Sequence, residues 1–304
     1  RGKDKHGSCG MGIGETRHYW LRHGSDAVVA RDLQDRPGLI SKLTLLRDRF
    51  LLECQDLPHI APDWHDLLRD TTPTEEADVL QEAASELTLA DSLPTCRFAI
   101  FEGSQGVLLD EWRGFHPYTT WSTVTPAHAL EMTDEHGFDD VTVLGVTRAY
   151  ATRHGAGPMP TWRPKLFDQI PDPGNPRNAW QDAMRTGPLD LVLLKYAAEV
   201  AKIDGLIVNG LDQVGKRPVI CERYRDFDRV EIPRGLREQS RLTAMLETAS
   251  PEFRETTPAG LLEALGEIAP VAIIGRGPTS EDKTFTGAGF LVRNSNLECA
   301  ATSR

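Results

Sequence analysis

Cysteine is scarce in this sequence, and its thiols are scattered along the chain. The five positions show no Cys-x-x-Cys spacing and are odd in number: Cys9, Cys54, Cys96, Cys221 and Cys299. Such a pattern indicates neither a disulfide framework nor a zinc site. We therefore expect reduced thiols and assign no metal-ligating residue in the chain.

Long apolar runs and an excess of positive charge are also absent. No run approaches the roughly 18 apolar residues of a membrane-spanning helix, and residues 1–6 lack the apolar core of a signal peptide. The chain has 34 Lys and Arg against 45 Asp and Glu, a net charge of −11, whereas general binders of nucleic acids or anionic membranes present a basic surface. We expect a cytoplasmic protein that binds small molecules, with neither nucleic acid nor membrane as a partner.

What the sequence does have is enough apolar material for a large core. Its 304 residues are 39% hydrophobic, so it can form one large domain or two closely joined ones, and we treat residues 1–304 as a single domain. Apolar residues recur every three to four positions between residues 32 and 89 and again over 189–203, which predicts helices. Apolar runs at 205–208 and 270–274 predict buried strands.

A glutamine between two glycines is the most informative local feature. Residues 101–110 read Phe-Glu-Gly-Ser-Gln-Gly-Val-Leu-Leu-Asp and follow an apolar run over 97–101, which predicts a strand that ends in a ligand site. Glycine lets a ligand approach the backbone closely, and the Gln105 amide can offer a donor and an acceptor to a nucleobase. The hydroxyl-rich loop 114–123, which contains Thr120, suits phosphate oxygens. On spacing alone, an ordinary strand followed by a Gly/Thr loop is the better interpretation.

Two further segments have the same ambiguity. Residues 6–14 hold four glycines at near-alternating positions, which suits an anion-wrapping backbone but equally a plain flexible loop. Arg153 stands beside small residues in Thr-Arg-His-Gly-Ala-Gly-Pro. It could be a buried structural arginine or a clamp for a phosphate or carboxylate.

Three of these segments, in this order, resemble adenylosuccinate synthetase. They are residues 101–110, then His-Pro-Tyr-Thr-Thr at 116–120, then Gly-Val-Thr-Arg-Ala-Tyr-Ala-Thr-Arg-His-Gly-Ala-Gly-Pro-Met-Pro-Thr at 145–161. The resemblance covers roughly residues 6–283 and leaves the tail 284–304 unassigned. It implies a P-loop-NTPase-like α/β fold with a central, mostly parallel sheet flanked by helices. It also implies a homodimer that uses GTP and Mg²⁺ to phosphorylate the 6-oxygen of IMP, after which the amine of aspartate displaces the phosphate.

The resemblance also assigns an IMP site. Residues 6–14 are similar to the family's Gly-Thr-Thr-Gly-Arg-Gly-Ile-Gly segment, with Ser8 and Cys9 at the two threonine positions. Arg22 best matches an arginine that reaches across the family's dimer to the partner's IMP phosphate, and Arg17 is the competing candidate. The complete implied set is Ser8, Cys9, Arg22, Gln105, Thr120 and His154, the last through its backbone.

The implied aspartate site departs from the family. Segment 171–187 is polar, broken by prolines and expected to be a mobile loop, at the place where a Gly-Arg-Pro-Arg-Arg-Cys-Gly loop closes over aspartate. Arg177 and Arg185 are the implied ligands of the aspartate carboxylates. Asp182 and Met184 stand where the family has further arginines. Because Asp182 would repel a carboxylate, we place the chain in a divergent branch of the family, and a ligase that acts on a different purine or amino acid is the alternative to one that uses IMP and aspartate.

The implied GTP site follows a predicted strand. A buried strand that ends in Asn-x-x-Asp, here 209–212, can read guanine, because a carboxylate accepts from both N1–H and the exocyclic amine. A turn aspartate after a core strand is the alternative. The family has Thr-Lys-Leu-Asp, so Asp212 matches while Gly210 replaces the lysine. Gly275 and Gly277 correspond to the family's Ser-Thr-Gly-Pro, with Gly275 in place of serine, so we expect a loosened preference for GTP.

No Gly-x-x-x-x-Gly-Lys-[Ser/Thr] motif occurs in the sequence. The family's phosphate loop and its catalytic aspartate and histidine lie in an N-terminal portion that we expect to be missing from a truncated sequence. We therefore assign no catalytic residue and expect the chain alone to be inactive, since phosphoryl transfer depends on positioning and on neutralised phosphate oxygens. The alternative to a truncated ligase is a non-catalytic, nucleotide-binding or dimerising remnant of the family.

Overall fold

A computed structural model describes residues 9–55, 70–93, 96, 98–163, 170, 180–181 and 183–287. Contacts divide the chain into two compact units, one of Arg1–Met11 with Ile100–Arg304 and one of Gly12–Ala99. The treatment of residues 1–304 as one domain stays a prediction. Within the described ranges, no helix is both long and apolar enough to cross a membrane.

The smaller unit is helical. It contains α1 (Ile13–His23), α2 (Arg36–Gln55) and α3 (Pro73–Ala84), with short 3-10 turns at Gly24–Asp26 and Ala30–Gln34. Helix α3 starts with a capping box in which Glu75 N donates to Thr72 Oγ1 at 3.2 Å and Thr72 N donates to Glu75 Oε2 at 2.8 Å. Leu39, Leu43 and Ala77 form the buried core of this smaller unit. The helices predicted between residues 32 and 89 are thus confirmed where the chain is described.

The larger unit combines helices and short strands. Its helices are α4 (Ala127–Glu135), α5 (Leu191–Ala201), α6 (Leu236–Glu247) and α7 (Pro258–Gly266). Its strands are β1 (Leu144–Arg148), β2 (Ala151–Arg153), β3 (Arg185–Gly187), β4 (Leu189–Asp190), β5 (Gly205–Asn209), β6 (Val219–Tyr224), β7 (Pro251–Glu255), β8 (Val271–Gly275) and β9 (Lys283–Phe285).

The main sheet has the order β1-β5-β8-β9. Strands β1, β5 and β8 are parallel, and β9 closes the sheet antiparallel to β8. Two smaller sheets pair β2 with β3 and place β6 between β4 and β7. Because the main strands are parallel, their carboxyl ends meet at one edge, where open α/β sheets bind ligands. The α/β fold with a mostly parallel sheet is confirmed.

Two apolar clusters fill the larger unit. In the first, Leu206 and Val208 of β5 pack with Leu261 and Leu265 of α7 on one face of the main sheet. The second joins α5, α6 and β6, and its largest fully buried members are Phe115, Tyr196, Tyr224, Leu246 and Val192. The predicted helix over 189–203 and the strands at 205–208 and 270–274 are confirmed by α5, β5 and β8.

The predicted strand over residues 97–101 is wrong. The described residues from 98 to 104 have no regular structure, and Phe98 and Ile100 are 58% and 93% exposed. An apolar run becomes a strand only when a neighbour takes its backbone hydrogen bonds and another layer buries its side chains. None of the strands in the described ranges pairs with this run.

Candidate nucleotide-binding site

Gln105 lies in an exposed bend with a left-handed backbone, φ 73°. Among the described residues only Lys202 shares this conformation without being a glycine. Holding a non-glycine residue in this conformation costs a free energy of order 1–3 kcal/mol, so the surroundings of Gln105 must impose it. On either side, Gly103 and Gly106 face open space. The bend therefore presents the Gln105 amide where a ligand can reach it.

Hydrogen bonds connect this bend to the hydroxyl-rich loop. Leu109 N donates to Gly106 O at 2.8 Å, and Thr120 N donates to Leu109 O at 2.8 Å. Two backbone hydrogen bonds thus link the chain beside Gln105 to the half-buried Thr120. The predicted base contact and the predicted phosphate contact belong to one hydrogen-bonded unit.

Asp110 organises this unit, a role that the sequence reasoning missed. Its carboxylate is only 1% exposed. Oδ1 accepts from the backbone N–H groups of Trp112 and Arg113 at 2.9 Å each, and Oδ2 accepts from those of Val124 at 2.7 Å and Thr125 at 3.4 Å. It therefore ties both ends of the loop that carries Thr120. The acidic residue after an apolar run was visible in the sequence, but its donors up to 15 positions away were not.

Two side chains of helix α6 donate hydrogen bonds to the same loop. The buried Gln239 donates from Nε2 to Glu111 O at 3.1 Å and to Gly114 O at 3.2 Å. Thr243 Oγ1 donates to His116 O at 2.8 Å. Because these side chains project from a helix packed in the second apolar cluster, the loop is fixed by the core of the unit.

Arg153 ends β2 and is 9% exposed. Its Nε donates to Ala156 O at 2.9 Å and its Nη2 to Tyr118 O at 3.0 Å. Burial, and then the charge of Arg185, lower the pKa of Arg153 to about 10. These contacts go to backbone carbonyls, which favours the structural interpretation of Arg153 over the clamp.

The loop after β2 lies against the hydroxyl-rich loop. Gly157 has φ 103°, and a Cβ there would lie 2.7 Å from the Cβ of Tyr118, so only glycine fits. The half-buried His154 starts this loop. The structure thus brings together the segments of Thr120 and His154.

The glycine-rich segment is described from Cys9 onward, and Cys9 is exposed. Gly10 has φ 79°, and a Cβ there would lie closer than 3.0 Å to the indole ring of Trp180. Trp180 therefore packs over this segment, a contact that no local pattern indicates. Ser8 lies outside the described residues.

The two arginine candidates for the dimer contact lie in the helical unit. Arg22 is exposed, and its Nη1 lies 3.2 Å from Glu53 Oε1. Arg17 stacks over Trp20 with 5.0 Å between the guanidinium carbon and the ring centroid. Its Nε is buried and has no hydrogen-bond partner among the described residues.

The predicted aspartate ligands are Arg177 and Arg185, and Arg177 lies outside the described residues, as does Asp182. Arg185 starts β3 opposite Arg153. Its Nη2 donates to Gly155 O at 2.7 Å and to Gly157 O at 2.8 Å, and burial lowers the pKa of its guanidinium.

The predicted GTP residues lie at the carboxyl ends of two neighbouring strands of the main sheet: Asp212 follows β5, Gly275 ends β8 and Gly277 follows it. A Cβ on Gly275 would lie closer than 3.0 Å to Asn209 Oδ1 and 2.9 Å from Lys283 Nζ. Lys283 Nζ donates to Gly277 O at 2.6 Å. Asp212 is exposed on a 3-10 turn (Leu211–Val214) that begins after Gly210, and its carboxylate accepts from the Gln213 amide. Asn209 Oδ1 is buried with no hydrogen-bond partner in the described part of the chain.

The parallel-sheet fold predicts that Arg153, Asn209, Gly275 and residues 103–106 lie at strand ends of the main sheet. This is confirmed for Asn209 and Gly275, which end β5 and β8. It is wrong for Arg153, which ends β2 of the separate two-stranded sheet, and for residues 103–106, which follow irregular chain. The described residues contain no group of three or more His, Cys, Asp or Glu side chains placed to hold a metal ion.

A family model for adenylosuccinate synthetase matches residues 1–267. The chain belongs to the adenylosuccinate synthetase family. The family that the motifs resembled is thus confirmed, and the match includes the segments of Gln105, Thr120, His154 and Asp212.

Named relatives agree with this membership. The adenylosuccinate synthetase of Alkalilimnicola ehrlichii is 32% identical over 239 residues, covering 76% of this chain and 54% of the relative. That of Pseudomonas paraeruginosa is 33% identical over 242 residues, covering 75% and 54%. The chain thus spans about half the length of the curated relatives that it matches.

A solved structure supports the fold. Fully ligated adenylosuccinate synthetase from Plasmodium falciparum superposes with a TM-score of 0.67 at 17% identity, covering 92% of this chain and 70% of that one. The main chain of this family member therefore has the fold of that enzyme.

Proposed function

We propose that the chain belongs to a purine nucleotide ligase that condenses aspartate with IMP, or a related purine monophosphate, at the expense of GTP to give adenylosuccinate. Family membership supports this reaction. One observation carries it further. The left-handed bend of Gln105 is hydrogen-bonded through Leu109 to Thr120, so one short unit offers a base contact and a phosphate contact to the same nucleotide.

The monophosphate would bind along this unit. The Gln105 amide would read the purine edge, the Thr120 hydroxyl would donate to a phosphate oxygen, and the backbone of His154 would meet the ribose. The glycine-rich segment would contribute Ser8 and Cys9. Arg22 would reach the same phosphate from the partner subunit of a homodimer, the commonest closed arrangement.

The other two substrates would bind nearby segments. Arg177 and Arg185 would hold the carboxylates of aspartate, since a guanidinium fork matches a carboxylate. Asp212 would accept from the guanine N1–H and amine of GTP, beside the backbone of Gly275 and Gly277. Mg²⁺ would arrive with the triphosphate and neutralise its oxygens.

We assign no catalytic residue among these 304 residues. The sequence has no Gly-x-x-x-x-Gly-Lys-[Ser/Thr] motif to cradle the transferred phosphate. We expect the chain on its own to bind substrates without turning them over. A non-catalytic nucleotide-binding or dimerising remnant would have the same property.

A branch ligase with a different purine or amino acid is the second candidate. The departures at Gly210 and Gly275 favour it, because both lie at the proposed guanine site and Asn209 occupies the space beside Gly275. A changed pocket at the base implies a changed preference among triphosphates.

Calorimetric titration of the chain with IMP, inosine, GTP and ATP tests the proposal. We expect IMP to bind more tightly than inosine, because the Thr120 loop contacts the phosphate, and GTP to bind independently of IMP. A chain that binds none of the four ligands contradicts the proposal. Tighter binding of ATP than of GTP favours the branch ligase.

A further inference from the structure

Two arginines hold every carbonyl of one three-residue loop. Arg153 Nε donates to Ala156 O at 2.9 Å. Arg185 Nη2 donates to Gly155 O at 2.7 Å and to Gly157 O at 2.8 Å. Gly155 and Gly157 both have positive φ, so the loop is irregular and depends on these side chains for its shape.

The same arginines join this loop to the segment that carries Thr120. Arg153 Nη2 donates to Tyr118 O at 3.0 Å. A Cβ on Gly157 would lie 2.7 Å from Tyr118 Cβ, so the two segments are in direct contact. The guanidinium of Arg153 also lies over the ring of the fully buried Phe115 at 5.7 Å. The pair therefore anchors both segments to the core.

The charges of the pair are not balanced locally. Arg153 and Arg185 face each other in the antiparallel register of β2 and β3. Within the described ranges, no carboxylate interacts with either guanidinium. Buried charges normally have a partner of opposite sign, and two like charges side by side raise the cost. An anionic ligand would relieve this cost.

We propose that Arg153 and Arg185 are positioning residues of the monophosphate site. They fix the His154 loop against the Thr120 segment, and their positive charge favours an anionic nucleotide over a neutral nucleoside. For Arg185 this role is additional to a contact with aspartate. The inference rests on the proposed function, because it assumes that a purine monophosphate binds at Gln105 and Thr120.

Arg185 is the better residue to vary, because it is half-buried whereas Arg153 is almost fully buried. Arg185→Gln removes the charge. Arg185→Lys keeps the charge, and one ammonium can donate to both carbonyls as Nη2 does now. Arg229→Gln is the matched control, because Arg229 is exposed and forms its ion pair with Glu199 at 3.1 Å. All variants are made in the 304-residue chain and titrated with IMP and with GTP in the absence of aspartate.

We expect Arg185→Gln to weaken IMP binding about tenfold or more, with GTP binding changed less than about twofold. Arg185→Lys should restore IMP affinity to within about threefold, because its ammonium can still donate to both carbonyls, and Arg229→Gln should change the affinity for neither ligand. Amide hydrogen exchange at residues 154–157 should accelerate in Arg185→Gln without any ligand.

Unchanged IMP affinity in Arg185→Gln, or a parallel loss of IMP and GTP, overturns the inference. If Arg185→Gln does not fold, the Arg185→Lys variant provides the test. A folded lysine variant whose IMP affinity is about tenfold weaker contradicts the role of charge and carbonyl contacts. Failure of the unaltered chain to bind IMP overturns the proposed function itself, and the exchange measurement still shows whether the arginines hold the loop.

Discussion

The side-chain oxygen of Asn209 occupies the space into which a Cβ on Gly275 would project. The two residues end neighbouring parallel strands, β5 and β8. The resemblance to the family places a threonine at 209 and a serine at 275. The Asn209 amide therefore leaves no room for a side chain at position 275.

This relationship predicts a non-additive pair of substitutions. Gly275→Ser alone should destabilise the chain by about 1–3 kcal/mol, because the new side chain overlaps Asn209. Asn209→Thr together with Gly275→Ser should recover most of that loss, since contacting residues couple. Urea unfolding of the two single variants and the double variant measures the coupling. Strict additivity would show that the residues do not compete for space.

A buried carboxyl group predicts a pH dependence of stability. Asp190 caps α5 by accepting from Leu193 N at 3.1 Å and accepts from the Tyr224 hydroxyl at 2.6 Å. Burial raises the pKa of Asp190 from 3.8 to about 6. The folded state therefore binds the proton more tightly than the unfolded state. The stability that this gives is complete below the unfolded pKa and is lost as the pH rises through about 6.

Asp190→Asn should remove this dependence. Between pH 4 and pH 7 the wild-type chain should lose about 2 kcal/mol of unfolding free energy relative to the variant, because most of the titration between a pKa of 3.8 and one of about 6 falls in this range. Denaturant unfolding of both chains at the two pH values measures the difference, with Glu199→Gln as an exposed acidic control. If the difference in unfolding free energy between the wild type and the variant does not change with pH, the raised pKa of Asp190 is contradicted.

The carboxylate of Asp110 predicts a loss of both stability and affinity. An asparagine there can accept with only one oxygen and turns its amide N–H₂ toward backbone donors. Asp110→Asn should therefore cost about 2–3 kcal/mol, because hydrogen bonds to a charged acceptor are lost. IMP affinity should fall with it, as the Thr120 loop loosens.

Thermal unfolding and calorimetry check this prediction, with the exposed Glu102→Gln as control. If Asp110→Asn unfolds like the wild type and binds IMP equally well, the carboxylate does not organise the loop.

Local patterns revealed much of the fold. The apolar stripe of α5 and the short apolar runs of β5 and β8 predicted those elements, because the spacing of apolar residues indicates which face of an element is buried. The run at 97–101 was misleading, since composition does not show whether a neighbouring strand exists. Within the site, the glycine-flanked Gln105 was visible in sequence.

The contacts that shape the site were hidden from the sequence. Arg153 bonds to Tyr118, 35 positions away, and Asp110 to Val124, 14 positions away. The packing of Trp180 on Gly10 spans most of the chain. Such contacts depend on the path of the backbone and leave no periodic signal.

The left-handed bend of Gln105 is the observation on which the proposed function depends most. If its amide reads the purine, Gln105→Ala should leave a base edge unpaired and cost about 1–3 kcal/mol, roughly a 5- to 150-fold loss of monophosphate affinity. The matched control is Gln213→Ala, which removes an exposed amide beside Asp212. Calorimetric titration with IMP, GMP and AMP should show different affinities for the three nucleotides in the wild type, and differences that shrink in Gln105→Ala. Equal affinities for all three, unchanged in the variant, would contradict a nucleobase contact at this loop.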